Sequence, residues 1–239
     1  MQRVDGGAEF DLVVVCNGGD ERRLVIPDKF AALRAKILSR ANSGYNIGAW
    51  NYGWEAARGY EYYLFLQDEC FIKRAGWVSE FEYRMDQDSG IGLLGEAIMW
   101  DRMSWEYIRA ATDRDMGTDW FDPIEIHPID IYRNYIEAHG VERGVVGTHL
   151  QSLILFTSDK ILNEVGGFLV GKTYHEAVAS EIGISRLIES KGYRISKIKD
   201  APFALIGHWQ WTTAYSNRMR MRRRILNVLH AFGLMRSHK

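Results

Sequence analysis

The sequence predicts an α/β fold with a mostly parallel sheet flanked by helices, and three observations carry that expectation. Short apolar runs of strand length alternate with longer segments of helical period, as in strands joined by helical crossovers. Residues 62–66 (Tyr-Tyr-Leu-Phe-Leu) form an apolar run that ends abruptly in Gln67, Asp68 and Glu69, the pattern of a buried strand delivering polar groups to a sheet edge. Just upstream, Asn42, Ser43 and Gly44 make a turn that leads into a helical pattern.

The elements follow in order. Residues 11–16 (Asp-Leu-Val-Val-Val-Cys) read as a central strand, stopped by the turn residues Asn17, Gly18, Gly19 and Asp20. Pro27 opens a short helix to about residue 33, and residues 35–39 form the next strand. Ile47, Trp50, Trp54 and Ala57 recur at helical spacing over residues 46–58, and Gly59 closes that helix. After the 62–66 strand come a helix over 77–85 and a strand over 91–94. Residues 97–127, rich in Trp, Met, Asp and Arg, show no clean period and read as an insertion or loop. A helix over 128–139 stops at Gly140, and a strand over 152–156 leads to a helix capped by Thr157 or Ser158 and ended at Gly166 and Gly167. A long helix over 175–191 and a strand over 193–198 complete the series.

The chain has 239 residues, 46% hydrophobic and 26% charged, enough for a full core in one α/β domain. It has only two cysteines, Cys16 and Cys70, which argues against a disulfide-built scaffold and fits a reducing compartment. No apolar run approaches the roughly 18 residues of a membrane span, and residues 1–10 lack the pattern of a signal peptide. The expected location is therefore cytoplasmic. The net charge of −1 is unevenly placed: residues 217–239 carry Arg218, Arg220, Arg222, Arg223, Arg224, Arg236 and Lys239 with no acid. Ile225, Leu226, Val228, Leu229 and Phe232 accompany them, so an amphipathic, cationic helix is expected over 213–239. It would lie on an anionic membrane surface, on the inner face of the cell membrane, or pack on the domain. Nucleic acid is not expected as a partner, because no stacking surface or binding motif accompanies the charge.

The collinear motifs resemble those of inverting GT-A glycosyltransferases of the family 2 kind, which use nucleotide-diphosphate sugars. That family shows a strand ending in Asp-Asn-Gly-Ser, an Asn-x-Gly turn and a strand ending in Asp-x-Asp. Cys16, Asn17, Gly18 and Gly19 stand at the first, Asn42, Ser43 and Gly44 at the second, and Gln67, Asp68 and Glu69 at the third. The family's Gly-Gly-Phe, its acidic pair on a helix and its Gly-Tyr-Arg find counterparts in Gly166 to Phe168, Ser180 with Glu181, and Gly192 to Arg194. The resemblance covers about residues 11–212. It implies a GT-A-like, Rossmann-like domain over 1–212, with a donor half over about 11–96 and an acceptor half over about 97–212. Cys16 replaces the usual aspartate, Gln67 replaces the first Asp of Asp-x-Asp, and only ten residues precede the first motif strand.

The resemblance implies the site. Asp68 and Glu69, with His208 as a possible third ligand, are candidates for Mn²⁺ or Mg²⁺, which would act as a Lewis acid on a leaving diphosphate. Glu181 stands where the family's general base stands, with His175 and Glu176 as second choices. Asn17, Gly18, Asn42, Gly44, Gln67 and Asp68 are candidates for the nucleotide-sugar donor; simple turn chemistry is the rival reading of the glycines. Tyr174, His175, Trp209, Trp211 and His149 are candidates for a glycan or lipid-linked acceptor, in the setting of surface polysaccharide synthesis. A non-catalytic carbohydrate- or nucleotide-binding domain on the same fold is the alternative, resting on Cys16, Gln67 and the short N-terminal lead.

Overall fold

The structure, a computed structural model, describes residues 4–18, 35–113 and 126–212. The helix expected over 27–33, residues 114–125 and the basic segment 213–239 lie outside the described residues. Within them are ten strands: β1 (Val13–Asn17), β2 (Lys36–Arg40), β3 (Tyr62–Leu66), β4 (Cys70–Ile72), β5 (Ile91–Gly95), β6 (Ile98–Met99), β7 (His149–Leu150), β8 (Ile154–Ser158), β9 (Arg194–Lys197) and β10 (Ile206–His208). Six α-helices join them: α1 (Tyr45–Ala56), α2 (Trp77–Gln87), α3 (Trp105–Asp113), α4 (Pro128–Ala138), α5 (Asp159–Val165) and α6 (Tyr174–Ser190). The fold is α/β, and most expected elements fall within a few residues of their predicted places.

The central sheet has the order β3-β8-β5-β9. Here the expectation of a mostly parallel sheet needs correction. Strand β8 runs antiparallel to both β3 and β5, and only β5 and β9 are parallel within this sheet. Strands β1 and β2 form a separate parallel pair, and β4 with β10 and β6 with β7 form antiparallel ones. Alternation of strands and helices sets connection type but not strand direction. The chain enters β8 from the end at which β3 finishes, with Ile154 opposite Leu66, so β8 must run back along β3.

Helices cover both faces. On one, Ile47, Trp50 and Trp54 of α1, Ile161 and Leu162 of α5, and Ile184 and Ile188 of α6 pack on Phe65, Leu93 and Leu155. On the other, Trp77, Val78, Phe81 and Met85 of α2 pack on Ile91, Leu94, Ile154 and Phe156. Leu155 faces the first layer while Ile154 and Phe156 face the second, the alternation that a strand buried on both faces requires. Burial of each such aliphatic side chain contributes about 1.5–3 kcal/mol. A third cluster joins Trp105 and Ile108 of α3 to Ile129, Tyr132 and Ile136 of α4 and to Ala179 and Ile182 of α6.

The segment 97–127 is less irregular than its composition suggests, since it holds β6 and α3. Trp105 and Ile108 are buried on one face of α3, while Tyr107 points outward at 61% exposure and obscures the period. The β4–β10 pairing also went unpredicted. Each strand has three residues, too few for a pattern to register. It sets His208 opposite Cys70 and so brings residues 206–208 beside the acidic turn after β3.

Candidate active site

The antiparallel run of β8 explains the site's centre. It places Ser152, just before β8, at the carboxyl end of β3, where three segments meet it. Gln67 Nε2 donates to the Ser152 carbonyl at 2.8 Å, and so does Asn46 Nδ2 from the first turn of α1 at 2.8 Å. The Ser152 hydroxyl in turn donates to Glu181 Oε2 on α6. Glu181 Oε1 lies 3.3 Å from His149 Nε2, and the Glu181 side chain keeps 20% of its surface exposed. Thus Gln67 and Glu181, far apart in the chain, converge on one serine. Glu181 contacts a hydroxyl and an imidazole there. Ser152 was not singled out from the sequence; the signal was the polar pair Gln151 and Ser152 interrupting an apolar stretch.

Expected donor residues gather next to this centre. Asn17 Nδ2 donates to Asn42 Oδ1 at 2.8 Å and to the Tyr45 carbonyl at 3.1 Å, while Arg40 donates to Asn17 Oδ1 at 3.3 Å. The pair therefore links the ends of β1 and β2 to the start of α1. Two glycines make this junction possible. Gly18 has φ +73°, and a Cβ there would come within 2.7 Å of Asn42 Cβ. Gly44, the N-cap of α1, has φ +72°, and a Cβ would sit 2.2 Å from Val170 Cγ1. The turn reading of both glycines therefore holds, and the same turns position Asn17 and Asn42.

On the other side, the chain turns sharply after Gln67, with Cys70 N–H donating to its carbonyl at 3.1 Å, and Asp68 and Glu69 stand exposed on that turn. Glu69 Oε2 lies 3.7 Å from His208 Nε2. His208 is 1% exposed, and its Nε2 is buried without a hydrogen bond. Burial pushes the His208 pKa down, opposed by the charges of Glu69 and Asp68. Its Nδ1 accepts the Gln210 N–H at 3.3 Å, which puts the proton of the neutral ring on Nε2; coordination through Nε2 requires that long bond to be given up. Among the described residues no group of three or more His, Cys, Asp or Glu is arranged for a metal ion. Burial pushes the Cys70 thiol up to about 11, so it stays protonated near neutrality and is a poor ligand. Glu69 and His208 thus face each other beside this turn, one carboxylate and one imidazole 3.7 Å apart.

The acceptor candidates divide. Trp209 and Trp211 are 43% and 52% exposed; Trp209 N–H donates to the Glu69 carbonyl and the Trp211 ring stacks on Phe203. Tyr174 and His175 stand at the start of α6, with the Tyr174 ring 6.4 Å from that of Tyr45. His149 does not border an open cleft: it is 3% exposed and faces Glu181. Glu176, the second choice for a base, is held as the N3 residue of a capping box and accepts from Lys172 and Thr173 N–H groups. An open depression of about 500 Å³ between α2 and β9, lined by Glu80, Arg84, Lys197 and Lys199, is bordered by none of the candidate residues.

The sequence matches no protein-family model, and no curated protein matches it. Among the described residues no helix is long and apolar enough to cross a membrane.

Proposed function

We propose that this protein is a metal-assisted glycosyltransferase of the inverting GT-A kind, moving a sugar from a nucleotide diphosphate to a glycan or lipid-linked acceptor. One observation supports this most: Asn17 is tied to Asn42 and to the Tyr45 carbonyl at the start of α1, Asn46, Gln67 and Glu181 all meet Ser152, and Glu69 on the turn after Gln67 faces His208 of β10. Glu181, partly exposed and oriented by Ser152, takes the proton of the acceptor hydroxyl as that oxygen attacks the anomeric carbon. Asn17, Asn42 and the backbone around Gly18 and Gly44 hold the nucleoside and phosphates, and Gln67 and Asp68 border the donor. Glu69 and His208 would hold Mn²⁺ or Mg²⁺, which when bound neutralises charge on the diphosphate. Trp209, Trp211, Tyr174 and His175 offer aromatic faces to the acceptor.

Calorimetric titration with uridine, guanosine, thymidine and cytidine diphosphates, each with Mn²⁺ or with chelator, tests this reading. One nucleotide is expected to bind in a metal-dependent way, with affinity at least about 10-fold lower in Glu69→Ala, a loss of roughly 1.4 kcal/mol. Folded protein that binds none of them would favour a domain that keeps the architecture without the transfer activity. Residues 217–239 are proposed to rest on anionic membrane surface near the reaction, on the cytoplasmic side. Co-sedimentation with phosphatidylserine vesicles should fall when those residues are removed; equal pelleting of both forms contradicts it.

A further inference from the structure

We propose that His149 is a positioning residue for Glu181 that receives, at Nε2, the proton Glu181 removes from the acceptor hydroxyl. This rests on the reading of Glu181 as general base. His149 Nδ1 lies 2.8 Å from the Gly147 carbonyl, and a carbonyl oxygen only accepts, so Nδ1 carries a proton. In the neutral ring Nε2 then holds the lone pair, and it faces Glu181 Oε1 at 3.3 Å. Two acceptors so placed leave room for one proton between them, and that is where the proton taken from the acceptor hydroxyl goes.

The surroundings hold the ring in this orientation. The Trp100 ring meets it edge-on at 5.0 Å, and His149 is paired with Met99 across the β6–β7 ladder. Arg186 of α6 donates to the Thr148 carbonyl at 2.6 Å and is paired with Glu189 at 2.6 Å. Glu181 is thus the carboxylate set against the ring, and Ser152 fixes its other oxygen.

The acceptor O–H bond breaks and its electron pair forms the bond to the anomeric carbon. The bond from that carbon to the diphosphate breaks with its pair going to the phosphate oxygen. The proton passes to Glu181 and across to His149 Nε2, and it leaves to solvent before the next turnover.

Two measurements test this. The first needs no substrate: long-range ¹H–¹⁵N spectra of the histidine rings in the full chain, with His149 assigned by its absence in His149→Gln or, should that variant not fold, in His149→Asn. The Nδ1–H form is expected for His149, and its ring ¹⁵N shifts should change in Glu181→Gln. An Nε2–H form, or shifts indifferent to Glu181→Gln, overturns the proposal. The second is the split between kcat and KM. His149→Gln can donate to Glu181 but cannot take up its proton, so kcat should fall about 10- to 100-fold with KM little changed. An unchanged kcat overturns the relay even where Glu181→Gln is inactive; a fully active Glu181→Gln instead removes the reading of Glu181 as base, which the ring spectra do not depend on.

Discussion

Glu181→Gln is expected to lower sugar transfer by about 10²- to 10⁴-fold, the range that a positioned general base contributes. The substitution keeps the shape of the side chain and an oxygen for the Ser152 hydroxyl, but it removes the charge and the capacity to take up a proton. Nucleotide affinity should stay within about two-fold of wild type, because the loss falls on the chemical step and not on ground-state binding. Turnover of the donor identified by titration, measured alongside that affinity, separates the two effects. A variant that keeps full turnover, or loses nucleotide binding in step with turnover, would remove Glu181 from the role of base.

The second large effect is on stability. Glu96, 1% exposed just beyond β5, accepts the N–H groups of Ala204, Leu205 and Ile206 at 2.6, 3.0 and 2.8 Å. These bonds pin the segment that leads into β10 and so set His208 against Glu69. Glu96→Ala leaves three donors without their acceptor, at about 1–3 kcal/mol for each that stays buried, so a loss of roughly 3 kcal/mol or more is expected. A lower urea midpoint with unchanged slope would report it; a midpoint like that of wild type contradicts it. Burial pushes the Glu96 carboxyl up, while the three N–H donors pull it down. With the folded value raised above the unfolded one, the protonation-linked part of its stabilising effect is present in acid and is lost as pH rises through the folded value, while the three N–H bonds remain. The stability difference between wild type and Glu96→Gln should therefore shrink from acidic to neutral pH.

Much of this arrangement was legible in the sequence, for physical reasons that can be named. The 62–66 strand was found to the residue because five apolar side chains end at Gln67, and packing on both faces leaves no polar alternation to confuse it. α6 was legible as one long helical stretch, expected over 175–191 and found over Tyr174–Ser190. Strand direction was not legible, since no local signal distinguishes a strand that returns antiparallel from one reached by a crossover. For the same reason Ser152 escaped notice, because its place beside Gln67 and Glu181 exists only once β8 lies against β3. His149 was noticed for the wrong surroundings. A histidine before an apolar strand reads equally as a cleft residue or a buried one, and here it is buried against a carboxylate.

A crystal grown with Mn²⁺ and the tightest-binding nucleotide sugar would show whether these residues share one donor. The diphosphate is expected between the Asn17–Asn42 junction and the Glu69–His208 pair, with the Glu181 carboxylate on the face of the anomeric carbon opposite the leaving phosphate. A nucleotide bound away from the carboxyl end of β3, or a sugar turned away from Glu181, would contradict it.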